Sequence, residues 1–189
     1  ITRSFGFILI LFTVRLAFWA VWTRLGVDET ASLSANSDSA GYLIPARALL
    51  TSGRFLNGDG APEIGRTPGY PLVIALMIAL FGENYLNALI TFQLFLSAVA
   101  VFAFGRTLDR LGVSAKIRTV LVWVAILNPH DAYFALFVLT DAIAQSLFVF
   151  FLAFFIRALQ GRNLAQLRDF ALAWAFLCAA IFVRPSSLY

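Results

Sequence analysis

Residues 37–71 of this chain read SDSAGYLIPARALLTSGRFLNGDGAPEIGRTPGYP and form its only long polar interval between hydrophobic stretches. The interval opens with an acid, Asp38, among small residues and ends in the sequence RTPGYP. Between these two parts, Pro45 suits the first turn of a helix, and apolar side chains recur at helical spacing beside arginines. We therefore predict an amphipathic helix over residues 45–52 that lies in the membrane interface.

The composition of the chain is typical of a polytopic membrane protein. Hydrophobic residues make up 61% of it and charged residues 13%, and the mean hydropathy is +0.86. Soluble domains are about 45–50% apolar and about 25% charged. The single cysteine allows no internal disulfide, and the net charge of +4 does not indicate nucleic-acid binding, because the placement of the basic residues follows the hydrophobic stretches. The predicted fold class is all-α, a polytopic transmembrane helical bundle of about five spans with amphipathic juxtamembrane helices in a long first outer loop.

Hydrophobic stretches near the length of about 20 residues that crosses a bilayer set the predicted spans. The spans are residues 5–22, 85–105, 117–128, 139–156 and 170–183, with an outer loop over residues 24–82. Within that loop, residues 71–81 are apolar but too few to cross, which predicts a second juxtamembrane or re-entrant helix. Arg15 lies inside the first span and is expected to face the bundle interior or to reach the interface, in a structural role. Because the chain opens directly into one span and stops just beyond another, we expect it to be a fragment of a larger membrane protein.

The distribution of basic residues predicts the orientation of the bundle. Two short loops, after the second and fourth spans, hold seven Arg and Lys residues, whereas the turn between the third and fourth spans holds none. The positive-inside rule places these two loops in the cytoplasm. The long first loop, residues 128–131 and Arg184 are then all expected on the outer side.

Two acids on that outer side are candidates for chemistry. Asp38 could act as a general base toward a hydroxyl or amine when its surroundings tune its pKa; the alternative is that it caps the helix that follows. Asp141 follows Thr140 at the mouth of a span. It is either an N-cap or an acid that faces a functional cavity.

The sequence RTPGYP places Arg66 on a turn that Gly69 allows to be sharp and that the prolines direct. A guanidinium held on such a turn suits a phosphate, which it grips through two hydrogen bonds; the alternative is a solvated loop arginine. His130 is the only histidine and has no cysteine nearby, so no zinc site is predicted. Asp38 and Asp141 could share a divalent ion only with a third ligand that the sequence does not supply, and no cofactor is predicted.

In their order, these features resemble the amino-terminal part of the GT-C class of integral membrane glycosyltransferases, which includes the protein O-mannosyltransferases and the lipid A aminoarabinose transferases. The similarity covers nearly the whole chain. The matching features are one span, an outer loop with DSAGY (38–42) leading into ARALL (46–50), then GRF (53–55), RTPGYP (66–71) and LFG (80–82), followed by Gln93, Asn128-Pro129 and Leu139-Thr140-Asp141.

The resemblance implies a fold, a reaction and a set of site residues. The implied reaction transfers a sugar, usually with inversion, from a polyprenyl-phosphate donor to an acceptor lipid, glycan or protein on the outer face of a bacterial inner (plasma) membrane. Asp38 matches the catalytic base. Asp141 stands where the family more often has Glu. The donor-phosphate and substrate-binding set is then Arg66, Tyr70, Tyr42, Asp141 and His130.

Two other functions compete with this hypothesis. A transporter or flippase subunit would move a lipid-linked sugar without forming a bond, and it predicts inverted repeats with broken spans in matching halves. The sequence has no such internal symmetry. A structural membrane scaffold would not need a loop this rich in Asp, Arg and Pro-Gly turns. No Walker A, GxGxxG or Gly-x-Ser-x-Gly sequence is present, so nucleotide-driven transport and serine-hydrolase chemistry have no support.

Overall fold

The structure is a computed structural model that describes residues 2–24, 37–128, 131 and 134–184. Within these residues the chain is all-helical, which confirms the predicted fold class. A 3-10 turn over Gly82–Asn84 separates the third helix from the fourth. The helices are α1 (Thr2–Arg24), α2 (Ser37–Ser52), α3 (Gly69–Phe81), α4 (Tyr85–Arg110), α5 (Ala115–Leu127), α6 (Asp141–Gln160) and α7 (Asn163–Val183).

Among the residues that the structure describes, three helical stretches are long and apolar enough to cross a membrane: Gly69–Arg110, Asp141–Gln160 and Asn163–Val183. The predicted spans 85–105, 139–156 and 170–183 fall within them almost entirely. The predicted span 5–22 lies in α1, whose apolar part, Gly6–Val21, is shorter. The predicted span 117–128 lies largely in α5, whose 13 residues extend roughly 20 Å and fall short of a hydrocarbon core of about 30 Å. The long apolar helices indicate a membrane protein.

The 42-residue stretch Gly69–Arg110 is two helices side by side. Gly82 has φ 53°, a conformation that favours glycine, and it ends α3. Tyr70, near the start of α3, then reaches Gln93 in α4, which shows that α3 runs back along the first part of α4. Apolar side chains of both helices share one core cluster, including Ile74, Met77 and Leu89. The predicted second loop helix, residues 71–81, is therefore present and begins two residues earlier.

Helix α2 begins at Ser37, eight residues before the predicted start at Pro45, which lies inside the helix. A proline in a helix interior removes one backbone hydrogen bond, so local propensity favours a start at Pro45. Packing overrides that preference, because Tyr42, Leu43 and Ala46 are buried in the same core cluster as α3.

The long helices of the bundle pack against one another in pairs. Helices α6 and α7 form the most extensive contact, α4 packs against α6, and α1 packs against α4. At one end, the side-chain amide of Gln160 donates to the backbone carbonyl of Arg110, at 3.2 Å. We call this the basic end, because the seven Arg and Lys residues of the two short loops lie there. They are Arg106, Arg110, Lys116, Arg118, Arg157, Arg162 and Arg168.

Arg15 faces the interior of the bundle, the first of its two predicted positions. Its side chain is fully buried and donates to the backbone carbonyls of Ala125, at 3.1 Å, and Asn128, at 3.3 Å. These carbonyls belong to the carboxyl-terminal end of α5, where the helix dipole favours a cation. Asp131 lies 3.7 Å away and supplies the opposite charge. These partners are more than 100 residues away in the chain, and periodicity gave no sign of them.

Candidate functional site

Arg66 lies in the loop that follows α2, and its side chain packs against the first turns of that helix. Its guanidinium donates to the Tyr42 hydroxyl at 2.9 Å and lies over the Tyr42 ring, 4.6 Å from the centroid. The same group packs against Gly41, where an added Cβ would lie 3.3 Å from two guanidinium nitrogens. Arg66 is half-buried and held in place, so it is not the solvated loop arginine that the sequence left open.

Asp38 is the second residue of α2 and therefore lies within its first turn. It does not cap a helix that begins at Pro45, because the helix has already begun at Ser37. In helical register, position 38 precedes Gly41 and Tyr42 by one turn and shares their face. The side chain of Asp38 lies outside the described residues, as does the whole of His130.

A buried chain of contacts, which we call the relay, runs from Tyr42 through Tyr70 to Gln93 in α4. Tyr42 and Tyr70 meet edge to face, with centroids 5.2 Å apart. The Tyr70 hydroxyl donates to the side-chain oxygen of Gln93 at 3.0 Å. The Gln93 amide nitrogen donates in turn to the carbonyls of Ala135, at 2.8 Å, and Phe137, at 3.2 Å. Both Tyr70 and Gln93 have an exposed fraction of 0%, so the Tyr70 hydroxyl and the Gln93 amide must find their hydrogen-bond partners within the protein.

Replacing Gln93 with leucine is expected to destabilise the protein by about 1–3 kcal/mol, because the buried Tyr70 hydroxyl and the carbonyls of Ala135 and Phe137 lose a partner. Adding Tyr70→Phe to this variant should then lower the stability less than Tyr70→Phe does alone. Thermal unfolding in detergent is measured for the four proteins of this double-mutant cycle: wild type, Gln93→Leu, Tyr70→Phe and the double variant. Thr91→Val, on the exposed side of α4, is the matched control. Additive effects of the two substitutions would contradict the relay.

The loop that carries Arg66 is anchored to the end of α7. The Thr67 hydroxyl donates to the Val183 carbonyl at 3.1 Å. A Cβ on Gly69 would lie 2.4 Å from the carbonyl oxygen of Phe182, so only glycine fits this contact. Gly69 is not among the residues with positive φ. The backbone conformation at this position therefore does not require glycine, whereas the close approach of the Phe182 backbone does.

Asp141 is the first residue of α6, and Thr140 before it makes no side-chain cap hydrogen bond. The Asp141 carboxylate accepts a hydrogen bond from Arg184, which follows α7. Asp141 is thus partly exposed and paired with a cation at the same end of the bundle as Thr67 and Val183. An acid in the first turn of a helix also interacts favourably with the helix dipole.

Three residues in this part of the bundle were not predicted as site residues. Gln93 was only a matching feature of the family resemblance, although an amide inside an apolar helix is itself a signal. Arg184 carried a weaker signal, a basic residue on the side of the bundle where the positive-inside rule expects few. Ser39, in the first turn of α2, donates to the carbonyl of Val138 at 3.3 Å and ties α2 to the residues before α6.

Metal binding has no geometric support in the part of the chain that the structure describes. No three carboxylate, imidazole or thiol side chains there lie close enough together to hold an ion.

Comparison of the chain with protein-family models, with curated proteins and with solved structures returns no match. The similarity to the GT-C class consequently depends on the order of short motifs in the sequence. What the structure adds is that Arg66, from one of these motifs, packs against Gly41 and Tyr42, from another.

Proposed function

We propose that this protein is a membrane glycosyltransferase of the GT-C type that takes its sugar from a polyprenyl-phosphate donor, with Asp38 as the general base. The donor phosphate would bind at Arg66, beside Tyr42, with the buried Tyr70 packed against the Tyr42 ring. The proposed site faces the outer side of a bacterial inner membrane, and the acceptor is a lipid, a glycan or a protein.

One observation carries the proposal: the Arg66 guanidinium packs against Gly41 and Tyr42, one helical turn after Asp38. The residue proposed to bind the phosphate and the proposed base are 28 positions apart in the sequence, yet Arg66 packs against the first turns of the helix to which Asp38 belongs. A transfer reaction needs a cation at the leaving phosphate and a base near the acceptor, and stabilising the developing charge is usually a large catalytic term.

The location also suits a lipid-linked donor. A polyprenyl chain partitions into the bilayer, so its sugar-phosphate headgroup is delivered at the membrane surface. In the sequence, polar segments lie on both sides of α2, and the helix packs on the apolar helix α3. Both observations support a site where polar and apolar surfaces meet. A fixed guanidinium is well suited to bind a phosphate there, because its geometry is set before the donor arrives.

A radiolabelled transfer assay on the full-length protein in membranes tests this function, with polyprenyl-phosphate sugars offered as donors. Arg66→Lys keeps the charge but loses the planar fork, and we expect the donor KM to rise about 10–100-fold, as a charge-assisted hydrogen bond is worth about 1.5–3 kcal/mol. Arg54→Lys, at an exposed position in the same loop, should transfer like wild type.

The outcomes separate the competing functions. Label in an acceptor, reduced by Arg66→Lys alone, supports a transferase. Movement of the donor across the membrane without a new bond would support the flippase. Transfer that is unchanged by Arg66→Lys would overturn the role of Arg66.

A further inference from the structure

A groove at the basic end has an apolar part and a cationic part, as a site for an anionic phospholipid would. It lies between α4 and α6, has a volume of about 300 Å³ and includes no acidic residue in its lining. Phe102, Phe150 and Phe154 line it on one side of three arginines, Arg106, Arg110 and Arg157. One part of the groove is therefore apolar and the other cationic.

The order of these residues along the helices gives the groove a direction. On α4, Val99 and Phe102 precede Arg106 and Arg110 on one helical stripe, and the rise per residue makes this stripe roughly 16 Å long. Helix α6 repeats the order, since Phe150 precedes Arg157. The apolar part is consequently the deeper one, and the arginines lie where both helices end, at the basic end.

Arg157 is a fixed part of the groove wall. Its guanidinium makes two hydrogen bonds to the buried carboxylate of Asp169 and lies over the Phe154 ring, 5.0 Å from the centroid. Its charge is therefore largely compensated. Arg106 is 3.6 Å from Asp109, with 61% of its side chain exposed, so this surface pair adds little. Arg106 and Arg110 are the cations available to a ligand.

We propose that this groove binds one anionic phospholipid, with an acyl chain over the phenylalanines and the phosphate at Arg106 and Arg110. Basic pockets between membrane helices are suited to anionic headgroups. The apolar half of the groove selects a lipid over a free anion, and the two available arginines select an anionic lipid over a zwitterionic one. This site is distinct from the Tyr42–Arg66 site and does not depend on the proposed transferase activity.

The test is native mass spectrometry of the full-length protein released from detergent with dioleoylphosphatidylglycerol or dioleoylphosphatidylcholine. We expect phosphatidylglycerol to be retained preferentially. Arg106→Gln combined with Arg110→Gln should weaken its retention about 30-fold, equivalent to about 2 kcal/mol at 1.4 kcal/mol per tenfold change. Lys116→Gln combined with Arg162→Gln removes the same charge from exposed positions outside the groove and should leave retention unchanged.

A second variant tests the groove itself and retains every charge. Ala153 lines the groove, so Ala153→Phe should fill it and also abolish retention of phosphatidylglycerol. If the Lys116/Arg162 double variant lost phosphatidylglycerol as strongly as the Arg106/Arg110 double variant, the lipid would be held by general surface charge. That result would overturn the site. Equal retention of both lipids, full competition by inorganic phosphate, retention by Ala153→Phe, or no retained lipid at all would overturn it as well.

Discussion

Replacing Asp38 with asparagine is expected to lower sugar transfer about 10²–10⁴-fold, the usual contribution of a general base. The amide is close in size to the carboxylate, but it cannot accept the proton of the attacking acceptor. Because position 38 lies in the first turn of a helix whose core contacts come from Tyr42, Leu43 and Ala46, the fold should be unaffected. The measurement is the radiolabelled transfer assay on the full-length protein, with the donor KM and kcat determined separately.

The matched control is Asp59→Asn, which removes the same charge from an exposed position in the loop that follows α2. It should transfer like wild type. A general base predicts a loss in kcat with donor binding retained, whereas a purely structural role predicts a lower thermal stability. Full activity of Asp38→Asn would remove Asp38 from the mechanism and leave the donor site at Arg66 to be judged by its own variant.

Gly69→Ala is expected to destabilise the protein by about 3 kcal/mol, at the upper end of the usual range for overpacking. The new Cβ would lie 2.4 Å from the carbonyl oxygen and 2.7 Å from the carbonyl carbon of Phe182. These are backbone atoms, so no side-chain rotation relieves the clash, and α3 or α7 must move. The displaced loop also carries Arg66, and we therefore expect transfer to fall together with the midpoint of thermal unfolding.

Gly6→Ala is the matched control for this prediction. Gly6 lies in α1, and a Cβ there would meet nothing within 4 Å. Alanine should leave the stability unchanged or raise it, since alanine is the better helix former. A Gly69→Ala protein as stable as wild type would show that the contact between α3 and α7 is looser than the structure has it.

The all-helical membrane fold could be predicted from composition and hydrophobic length, because burial of apolar helices in lipid depends on little else. Helix boundaries were harder. Residues 37–44 precede a proline and read locally as a loop, yet they form the start of α2 because Tyr42 and Leu43 pack on α3. The break at Gly82 agreed with the prediction, since it has a local cause in a glycine with positive φ.

The residue types of the candidate site could be predicted from the sequence, but the tertiary contacts of those residues could not. Short motifs identified Asp38, Arg66 and Tyr70 as residues suited to a base and a phosphate site. Nothing local indicated that Arg66 packs on Gly41 or that Arg184 pairs with Asp141. Both contacts depend on how separate helices pack, and no periodicity within one helix records that.

By itself, the sequence determined that this chain is a set of apolar helices typical of a membrane protein and that its long polar interval is residues 37–71. Both properties follow from transfer free energies, which act residue by residue. Only the tertiary structure decided that Gly69 is needed for a backbone contact, that Gln93 holds Tyr70, and that Arg15 caps the end of α5. The physical reason is that close packing and buried hydrogen bonds join groups far apart in the chain, and those partners exist only after the helices have assembled.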